Sequence, residues 1–430
     1  MNRRPGLLPL STLLLGLTLL LGITSVHAND RNLEPVDPTE VGFTIEGLEA
    51  LQSSMRQQVD DGHLAGITTV LTRNGRLAHT DTYGYQNIEE DVALRDDTIF
   101  RIFSMTKPVA GTALMILHDE GLFSLDDPVS QYIPELANLQ VAAEDGPDGM
   151  PVTEPATHEM TVRELMSHTG GLTYGLFSQS QVDTLYTQAD LLNPQSTLQE
   201  MIDKLAEIPL RQQPGTQWHY SVSVDVQGHL VEVLSGQSFD EFLDERIFQP
   251  LDMQDTGFYV PEDKHHRFSA LYMSDGQGNL VQPGSALGGS FTEPVSFFGG
   301  GGGLTSTAQD YLQFAQMIAN GGELNGVRIV SEEAVELMRK NQLPGDMNEI
   351  PGYPGNSFGL NFAIVEDPAR NDGKSEGSHW WWGIGGTWFW IDPVEDLLFI
   401  GMIQNQNLGF ARQLQSLSKQ LVYDALEASE

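Results

Sequence analysis

The chain has 430 residues, of which 59 are acidic, 22 are lysine or arginine and none is cysteine. A formal net charge of −37 makes nucleic acid and anionic membrane surfaces unfavourable partners, and we expect neither. The lack of cysteine excludes disulfides, a thiol nucleophile and thiolate metal ligands. A chain of this length can bury a large hydrophobic core, in one domain or in two.

The N-terminal segment has the pattern of a secretory signal. An arginine pair precedes the apolar run 7–23, and Ala28 completes an Ala-x-Ala-like cleavage site. We therefore expect residues 1–28 to be a signal peptide, residues 29–42 to be a linker, and the protein to be exported, either periplasmic or secreted. An uncleaved anchor helix is the alternative. No later segment reaches the roughly 18 apolar residues that a membrane-spanning helix needs, so we expect no span after signal cleavage.

The next elements are predicted by apolar periodicity. Helical spacing predicts a helix over 45–59. Two strand patterns, 66–71 and 77–83, then flank an Asn-Gly pair that starts at Asn74, which is a strong hairpin signal. The almost wholly apolar stretch 109–117 predicts a buried helix. The chain therefore begins its folded part with a helix and two antiparallel strands.

The second half of the chain returns to strands after a helical middle. A run of five glycines, 299–303, precedes a predicted helix over 307–320, and a further helix is expected after Ser331. Strand patterns follow at 387–391 and 397–403, before a last helix. Strands near both ends of the chain favour one antiparallel sheet with a helical region inserted.

The expected domain division follows from this order of elements. Residues 43–117 and 296–430 form an α/β domain, and residues 118–295 form a mainly helical domain. We expect the loops 173–200 and 340–380 to shape any substrate pocket.

Two Ser-x-x-Lys pairs can each provide a nucleophile with its own base. In Ser104-Met105-Thr106-Lys107, both functional side chains share one face of a helix, and apolar neighbours favour the neutral amine of Lys107. Ser416 and Lys419 have the same spacing, but they lie in a polar, amphipathic segment that predicts a solvated helix. The spacing alone does not choose between the pairs.

Five motifs in a fixed order give the stronger signal. They are Phe100-Arg101-Ile102-Phe103-Ser104-x-x-Lys107, Glu164-Leu165-Met166-Ser167-His168-Thr169-Gly170-Gly171-Leu172, Pro214-Gly215-Thr216-x-x-x-Tyr220-Ser221, Gly302-Gly303-Leu304-x-Ser306-Thr307-Ala308 and Trp381-x-Gly383-x-x-Gly386-Thr387. In this order the chain resembles the class C β-lactamase-like serine hydrolases, and most closely the family VIII carboxylesterases. The resemblance spans about residues 40–425. Of the two serines in Ser-x-x-Lys pairs, only Ser104 lies in one of the family's motifs. It implies an α/β (α+β) fold like that of β-lactamases and penicillin-binding proteins, with an antiparallel sheet flanked by helices and an inserted all-helical region.

The resemblance also implies roles for individual residues. Ser104 is the acyl-accepting nucleophile and Lys107 is its base. Tyr220, as a phenolate, shares proton transfer with the lysine and serves the leaving group and the deacylating water. The backbone N–H groups of Ser104 and Ile384 form the oxyanion hole.

Two departures from the β-lactamase pattern concern the substrate. Val222 replaces the asparagine of the Tyr-x-Asn motif, and Trp381 replaces the lysine of the Lys-Thr-Gly motif, with Trp382 and Gly383 completing that triplet. Loss of a charge-assisted contact of this kind costs about 1.5–3 kcal/mol, which disfavours a β-lactam carboxylate. We expect these four residues at the substrate-binding side, where the two tryptophans form a flat apolar wall, unless one of them packs in the core.

The sequence thus predicts a serine hydrolase that cleaves small-molecule, short-chain carboxylic esters through an acyl-enzyme on Ser104, with Lys107 and Tyr220 as base pair. A β-lactamase, a D-Ala-D-Ala-type peptidase or a transacylase is the first alternative, and a non-catalytic sensor that becomes acylated is the second. Weak β-lactam hydrolysis is compatible with the motifs. The histidines lack the spacing of a metal site, so no metal or cofactor is expected. The sequence carries no signal of oligomeric state.

Overall fold

The computed structural model describes residues 1–2, 35–284, 289–371 and 374–427. Nearly all of the predicted signal peptide, 1–28, and the first part of the predicted linker lie outside these ranges. Within them, eleven α-helices form: α1 Ile45–Asp60, α2 Thr106–Asp119, α3 Val162–Met166, α4 Gln181–Ala189, α5 Leu198–Leu205, α6 Ser223–Ser235, α7 Phe239–Leu243, α8 Gln249–Leu251, α9 Ala308–Ala319, α10 Glu332–Met338 and α11 Leu408–Asp424.

The strands in the described ranges are β1 Gly66–Arg73, β2 Arg76–Asn87, β3 Val92–Ala93, β4 Phe100–Arg101, β5 Gln140–Glu144, β6 Val152–Pro155, β7 Met273–Ser274, β8 Leu280–Val281, β9 Thr305–Ser306, β10 Glu323–Leu324, β11 Val327–Arg328, β12 Asn356–Phe358, β13 Ala363–Val365, β14 His379–Trp382, β15 Trp388–Asp392 and β16 Leu397–Met402. Short 3-10 turns include Pro38–Val41 and Phe103–Met105.

One antiparallel sheet of eight strands unites the two ends of the folded chain, as the sequence predicts. Its order is β12-β13-β14-β15-β16-β1-β2-β3. The N-terminal hairpin turns at Asn74, whose φ of 52° suits the left-handed turn, and β1 then pairs with β16 so that Val70 lies opposite Ile400. This pairing joins residues more than 300 positions apart.

Helices cover both faces of the sheet, which explains why β1 and β16 are buried over almost their whole length. Thr69 lies opposite Asp81, which accepts hydrogen bonds from α1, whereas Thr72 donates to Gln316 of α9. Because side chains alternate along a strand, α1 and α9 lie on opposite faces. The last helix, α11, packs beside α1.

Helix α2 is the buried axis of the molecule. All of its residues from Thr106 to Leu117 are buried, and it packs against α6 and α10. The prediction of a buried helix over 109–117 is confirmed, and the helix begins three residues earlier. The 3-10 turn Phe103–Met105 leads directly into it. The segment just before this turn is fixed because β4 pairs with β9, the strand that follows the glycine run.

The region 118–295 contains α3 to α8 and, in addition, two small hairpins, β5-β6 and β7-β8. No helix within the described part of the chain is long and apolar enough to span a bilayer. The described part of the predicted linker lies against the folded body, since Val41 is buried and the N–H of Val36 donates to the carbonyl of Leu77.

Candidate active site

Ser104 lies at the bottom of a cavity of about 400 Å³, in the 3-10 turn that opens α2. The residue before it, Phe103, has a left-handed φ of 43°, a strained conformation for an aromatic residue. Its ring is held edge-on against Phe291, with ring centroids 5.8 Å apart, and lies beside Gly385. This packing compensates the strain and directs the Ser104 side chain into the cavity.

Lys107 is completely buried one turn further along the helix. Its Nζ lies 3.4 Å from Ser104 Oγ and 3.1 Å from the hydroxyl of Tyr174, and it donates to the carbonyl of Gly301. Burial lowers the pKa of Lys107 to about 7, although the negative charge of Asp225 acts in the opposite direction. A large fraction of this lysine is therefore a neutral amine near neutral pH.

Tyr220 completes the group around Ser104. Its hydroxyl donates to Ser104 Oγ over 2.7 Å and accepts from the indole N–H of Trp381 over 3.4 Å. Burial raises the pKa of Tyr220 above its ordinary value, so the resting enzyme holds a protonated phenol. This differs from the phenolate implied by the family resemblance, because desolvation of the hydroxyl outweighs its hydrogen bonds.

The loop that carries Tyr220 is fixed by the motif around His168. The N–H groups of His219 and Val222, on either side of Tyr220, donate to the carbonyls of His168 and Thr173 at 2.9 and 3.1 Å. The His168 ring lies 5.0 Å from the Tyr220 ring, centroid to centroid, and burial lowers its pKa well below the ordinary value. His168 is thus a neutral packing partner of the tyrosine.

Asp225 is a site residue that the motifs did not single out. It lies in the first turn of α6, is buried, and accepts a hydrogen bond from the N–H of Gly301 over 2.9 Å. A Cβ on Gly301 would lie 2.5 Å from the Tyr174 hydroxyl and 2.6 Å from Asp225 Oδ2, so only glycine fits between them. A carboxylate within the apolar run around Val224 and Val226 is the sequence signal that could have revealed it.

The two predicted oxyanion donors lie at the same cavity. Both Ser104 and Ile384 line it, and neither backbone N–H has a hydrogen-bond acceptor within the described residues. The turn after β14 brings Ile384 there: the N–H of Gly383 donates to the carbonyl of Thr387, and a Cβ on Gly383 would lie 2.3 Å from the carbonyl oxygen of Ile102. Glycine at 383 therefore permits the contact between this turn and the segment that carries Ser104.

The structure places the other predicted substrate residues behind the cavity surface. Trp381 is 2% exposed and packs against Tyr220, Tyr353 and Phe358. Trp382 is half-buried and donates from its indole N–H to the Tyr353 hydroxyl over 2.9 Å. Val222 is fully buried. Among the described residues, those lining the cavity include none of these three, nor Gly383, and Trp381 contacts the site through the Tyr220 hydroxyl.

The cavity wall comes from segments without a recognisable motif. One side is formed by residues between Tyr174 and Gln195, within the predicted loop 173–200, and the other by residues from Gly289 to Gly303. Residues from 340–380 do not line it in the part of the chain described. In the same part, no group of three or more His, Asp or Glu side chains could hold a metal ion.

Fold and site together define a protein of the β-lactamase and penicillin-binding-protein class. A family model described as beta-lactamase matches residues 51–422, and the chain belongs to that family. An uncharacterized protein of Mycobacterium tuberculosis (strain CDC 1551 / Oshkosh) is 35% identical over 367 residues, which cover 83% of this chain and 90% of the relative. The resemblance read from the five motifs is confirmed.

Two further comparisons concern an esterase and a hydrolase. Esterase EstB of Burkholderia gladioli is 29% identical over 407 residues, covering 90% of this chain and 98% of EstB. The solved structure of EstCE1, described as a hydrolase with promiscuous acyltransferase activity, superposes with a TM-score of 0.73 at 23% identity, covering 87% of this chain and 98% of that one. The predicted fold class is confirmed.

Proposed function

We propose that the protein is a carboxylesterase that cleaves short-chain esters of small molecules through an acyl-enzyme on Ser104. The observation that carries the proposal is the position of Ser104 Oγ, 2.7 Å from the Tyr220 hydroxyl and 3.4 Å from Lys107 Nζ, at the bottom of a predominantly apolar cavity. The similarity to esterase EstB over nearly the whole chain supports an ester substrate.

Acylation begins with the neutral amine of Lys107, which accepts the Ser104 proton as Ser104 Oγ attacks the ester carbonyl. The ammonium that forms is stabilised by the Gly301 carbonyl, by the charge of Asp225 and by the Tyr220 ring, whose centroid lies 4.6 Å from Nζ. The oxygen anion of the tetrahedral intermediate accepts hydrogen bonds from the backbone N–H groups of Ser104 and Ile384.

Collapse of the intermediate releases the alcohol. Tyr220, a protonated phenol close to Ser104 Oγ, donates its proton to the departing alkoxide and recovers a proton from the Lys107 ammonium. In deacylation a water molecule attacks the acyl carbonyl and gives its proton to the same lysine-tyrosine pair. The bond between the acyl carbon and Ser104 Oγ then breaks, the pair returns the proton to Oγ, and the carboxylic acid leaves. Ser104 is then regenerated with no net change in protonation.

An ester is favoured over a β-lactam by the residue at position 381. A lysine there would offer a β-lactam carboxylate a charge-assisted hydrogen bond, whereas Trp381 is buried and its N–H is engaged with Tyr220. The missing contact corresponds to about 1.5–3 kcal/mol, or tenfold and more in affinity. Weak lactam hydrolysis is compatible with the same nucleophile.

Acyl transfer to an alcohol is the second candidate. The same acyl-enzyme reacts with an alcohol instead of water when the alcohol occupies the apolar cavity, and EstCE1 is described as having promiscuous acyltransferase activity. Adding a primary alcohol to the ester assay and quantifying the new ester separates the two outcomes.

The deciding assay compares kcat/KM for p-nitrophenyl butyrate and for nitrocefin. We expect the ester to be preferred by at least about tenfold, and we expect butyrate to exceed the decanoate ester. A preference for nitrocefin would refute the esterase proposal. A burst of p-nitrophenol without steady turnover would identify an acylated sensor instead.

We also propose that the protein acts outside the cytoplasm, on the evidence of the signal pattern in residues 1–28. N-terminal sequencing of the protein recovered from the periplasm or medium of an expressing bacterium should begin at Asn29. Recovery of the uncleaved chain in the membrane fraction would favour the anchor helix.

A further inference from the structure

The charged residues that line the cavity in the described chain are all acidic. Among the described residues that line the cavity there is no lysine, arginine or histidine, whereas Asp190, Asp225 and Glu293 all contribute to the lining. The four neighbouring residues outside the described ranges, 285–288, are uncharged in sequence. An anionic substrate therefore finds no basic side chain on the cavity surface.

The basic groups behind the wall are already engaged. Lys107 is completely buried and is held by Gly301, Tyr174 and Ser104. Arg101 is buried, lies 5.6 Å from the centroid of the Phe291 ring and donates to the carbonyl of Ser269 over 2.8 Å. Neither side chain lines the cavity in the described chain, so neither can pair with a substrate carboxylate there.

The two acidic residues at the mouth are accessible. Asp190 and Glu293 are both exposed. Asp190 belongs to the wall segment between Tyr174 and Gln195, and Glu293 belongs to the wall segment from Gly289 to Gly303. Asp190 Oδ2 accepts from the Asn193 amide over 2.8 Å, and Lys204 donates to the Asp190 backbone carbonyl over 3.2 Å, so its ammonium partly screens this carboxylate. Glu293 therefore provides the larger share of the negative potential at the mouth.

Aromatic rings supply the second element of a cation site. Tyr174, Phe177 and Tyr186 line one side of the cavity, and Phe291 and Phe297 line the other. Phe177 is 54% exposed, yet its ring lies 5.4 Å from the Tyr174 ring and 5.9 Å from the Tyr220 ring, centroid to centroid. Ring faces combined with carboxylates are the chemistry that recognises quaternary ammonium groups.

We propose that the cavity selects esters that carry an ammonium group and rejects esters that carry a carboxylate or sulfonate. This inference rests on the proposed esterase function and specifies its substrate class. The apolar wall accepts the hydrocarbon part of such a substrate, the rings and the two mouth carboxylates attract its charge, and the net charge of −37 steers cations towards the protein.

Three butyrate esters with matched alcohols test the inference: butyrylcholine, its neutral isostere 3,3-dimethylbutyl butyrate, and anionic 3-sulfopropyl butyrate. All three form the same butyryl-enzyme, so differences in kcat/KM report binding and acylation alone. We expect kcat/KM for butyrylcholine to exceed that of the neutral ester by about three- to tenfold, and the anionic ester to be about tenfold worse than the neutral one. The preference should decrease with added salt but not vanish.

The double variant Asp190→Asn/Glu293→Gln should reduce the ratio of kcat/KM for butyrylcholine to kcat/KM for the neutral ester by at least about twofold. Glu333→Gln/Glu336→Gln, which removes two exposed charges on α10, is the matched control and should have no effect. Equal kcat/KM for the charged and neutral esters, or an unaltered preference in the double variant, would overturn the inference. Failure of every ester, p-nitrophenyl butyrate included, to acylate Ser104 would instead overturn the proposed function.

Discussion

The two Ser-x-x-Lys pairs of this chain have the same spacing and both lie on helices, yet their surroundings differ completely. Ser104 opens α2 at the bottom of a cavity, whereas Ser416 is an exposed residue in the middle of α11. Lys419 is 8% exposed and so is buried rather than solvated, which corrects the expectation for that segment. Burial of the lysine is therefore common to both pairs and does not distinguish them.

Position in the helix and distant neighbours make the difference. A serine at the start of a helix keeps a backbone N–H that no helical carbonyl uses, whereas a serine in mid-helix does not. Lys107 is also surrounded by residues from distant parts of the chain. Tyr174 and Gly301 are 67 and 194 positions away in sequence, and Asp225 lies on α6. A tetrapeptide motif carries none of this information.

The largest expected effect separates the two serines. Ser104→Ala should lower kcat/KM for p-nitrophenyl butyrate by about 10³-fold or more, because no nucleophile remains. Ser416→Ala should leave the activity unchanged. Steady-state kinetics on both variants, with circular dichroism to verify folding, checks this; substantial loss in the Ser416 variant would mean that the second pair contributes to catalysis.

Substitutions of the two lysines should differ nearly as much in their effect on kcat. Lys107→Met removes the base and should lower kcat by about 10²- to 10⁴-fold. Lys419→Met, a substitution of the same size on α11, should keep kcat within about twofold of the wild type. Comparable losses in both variants would show that the effect is one of folding, which thermal melting curves would reveal.

Tyr220 and Tyr423 provide a matched pair of hydroxyls. Tyr220→Phe removes the proton donor next to Ser104 Oγ and should lower kcat by about 10²-fold with the fold intact. Tyr423 of α11 donates to the buried carboxylate of Asp392, so Tyr423→Phe should lower the free energy of unfolding by about 1.5–3 kcal/mol without changing kcat. Urea denaturation and steady-state kinetics on both variants check this. A loss of kcat in Tyr423→Phe, or an unchanged kcat in Tyr220→Phe, would contradict the prediction.

The smallest effect is a pH dependence. Burial lowers the pKa of Lys107 to about 7, and only its neutral form accepts the serine proton, so kcat/KM should rise through about pH 7 and then level off. The charge of Asp225 favours the ammonium, so Asp225→Asn should shift this midpoint to lower pH. A midpoint near the ordinary lysine value of 10.5 would contradict the assignment of Lys107 as base.

Local patterns were sufficient for four of the eight strands of the sheet, β1, β2, β15 and β16. The Asn-Gly pair at 74 predicts the hairpin, and the apolar stretches 387–391 and 397–403 correspond to β15 and β16. These elements are set by turn chemistry and apolar periodicity, which are readable within a short window.

The rest of the site depends on contacts between distant segments. Asp225 reaches the site because α6 packs beside α2, a contact that no local pattern specifies, and the cavity wall comes from loops without periodicity. Trp381 was expected on the substrate side, but its indole packs behind Tyr220, because the orientation of a strand residue depends on the neighbouring layers and not on its own motif.

The most direct test of the central claim is covalent labelling with a fluorophosphonate, which reacts only with an activated serine. When the labelled protein is digested with trypsin and analysed by mass spectrometry, we expect a single labelled residue, Ser104, and no labelling in the Ser104→Ala variant. A label on Ser416, or no label on a folded protein, would contradict it.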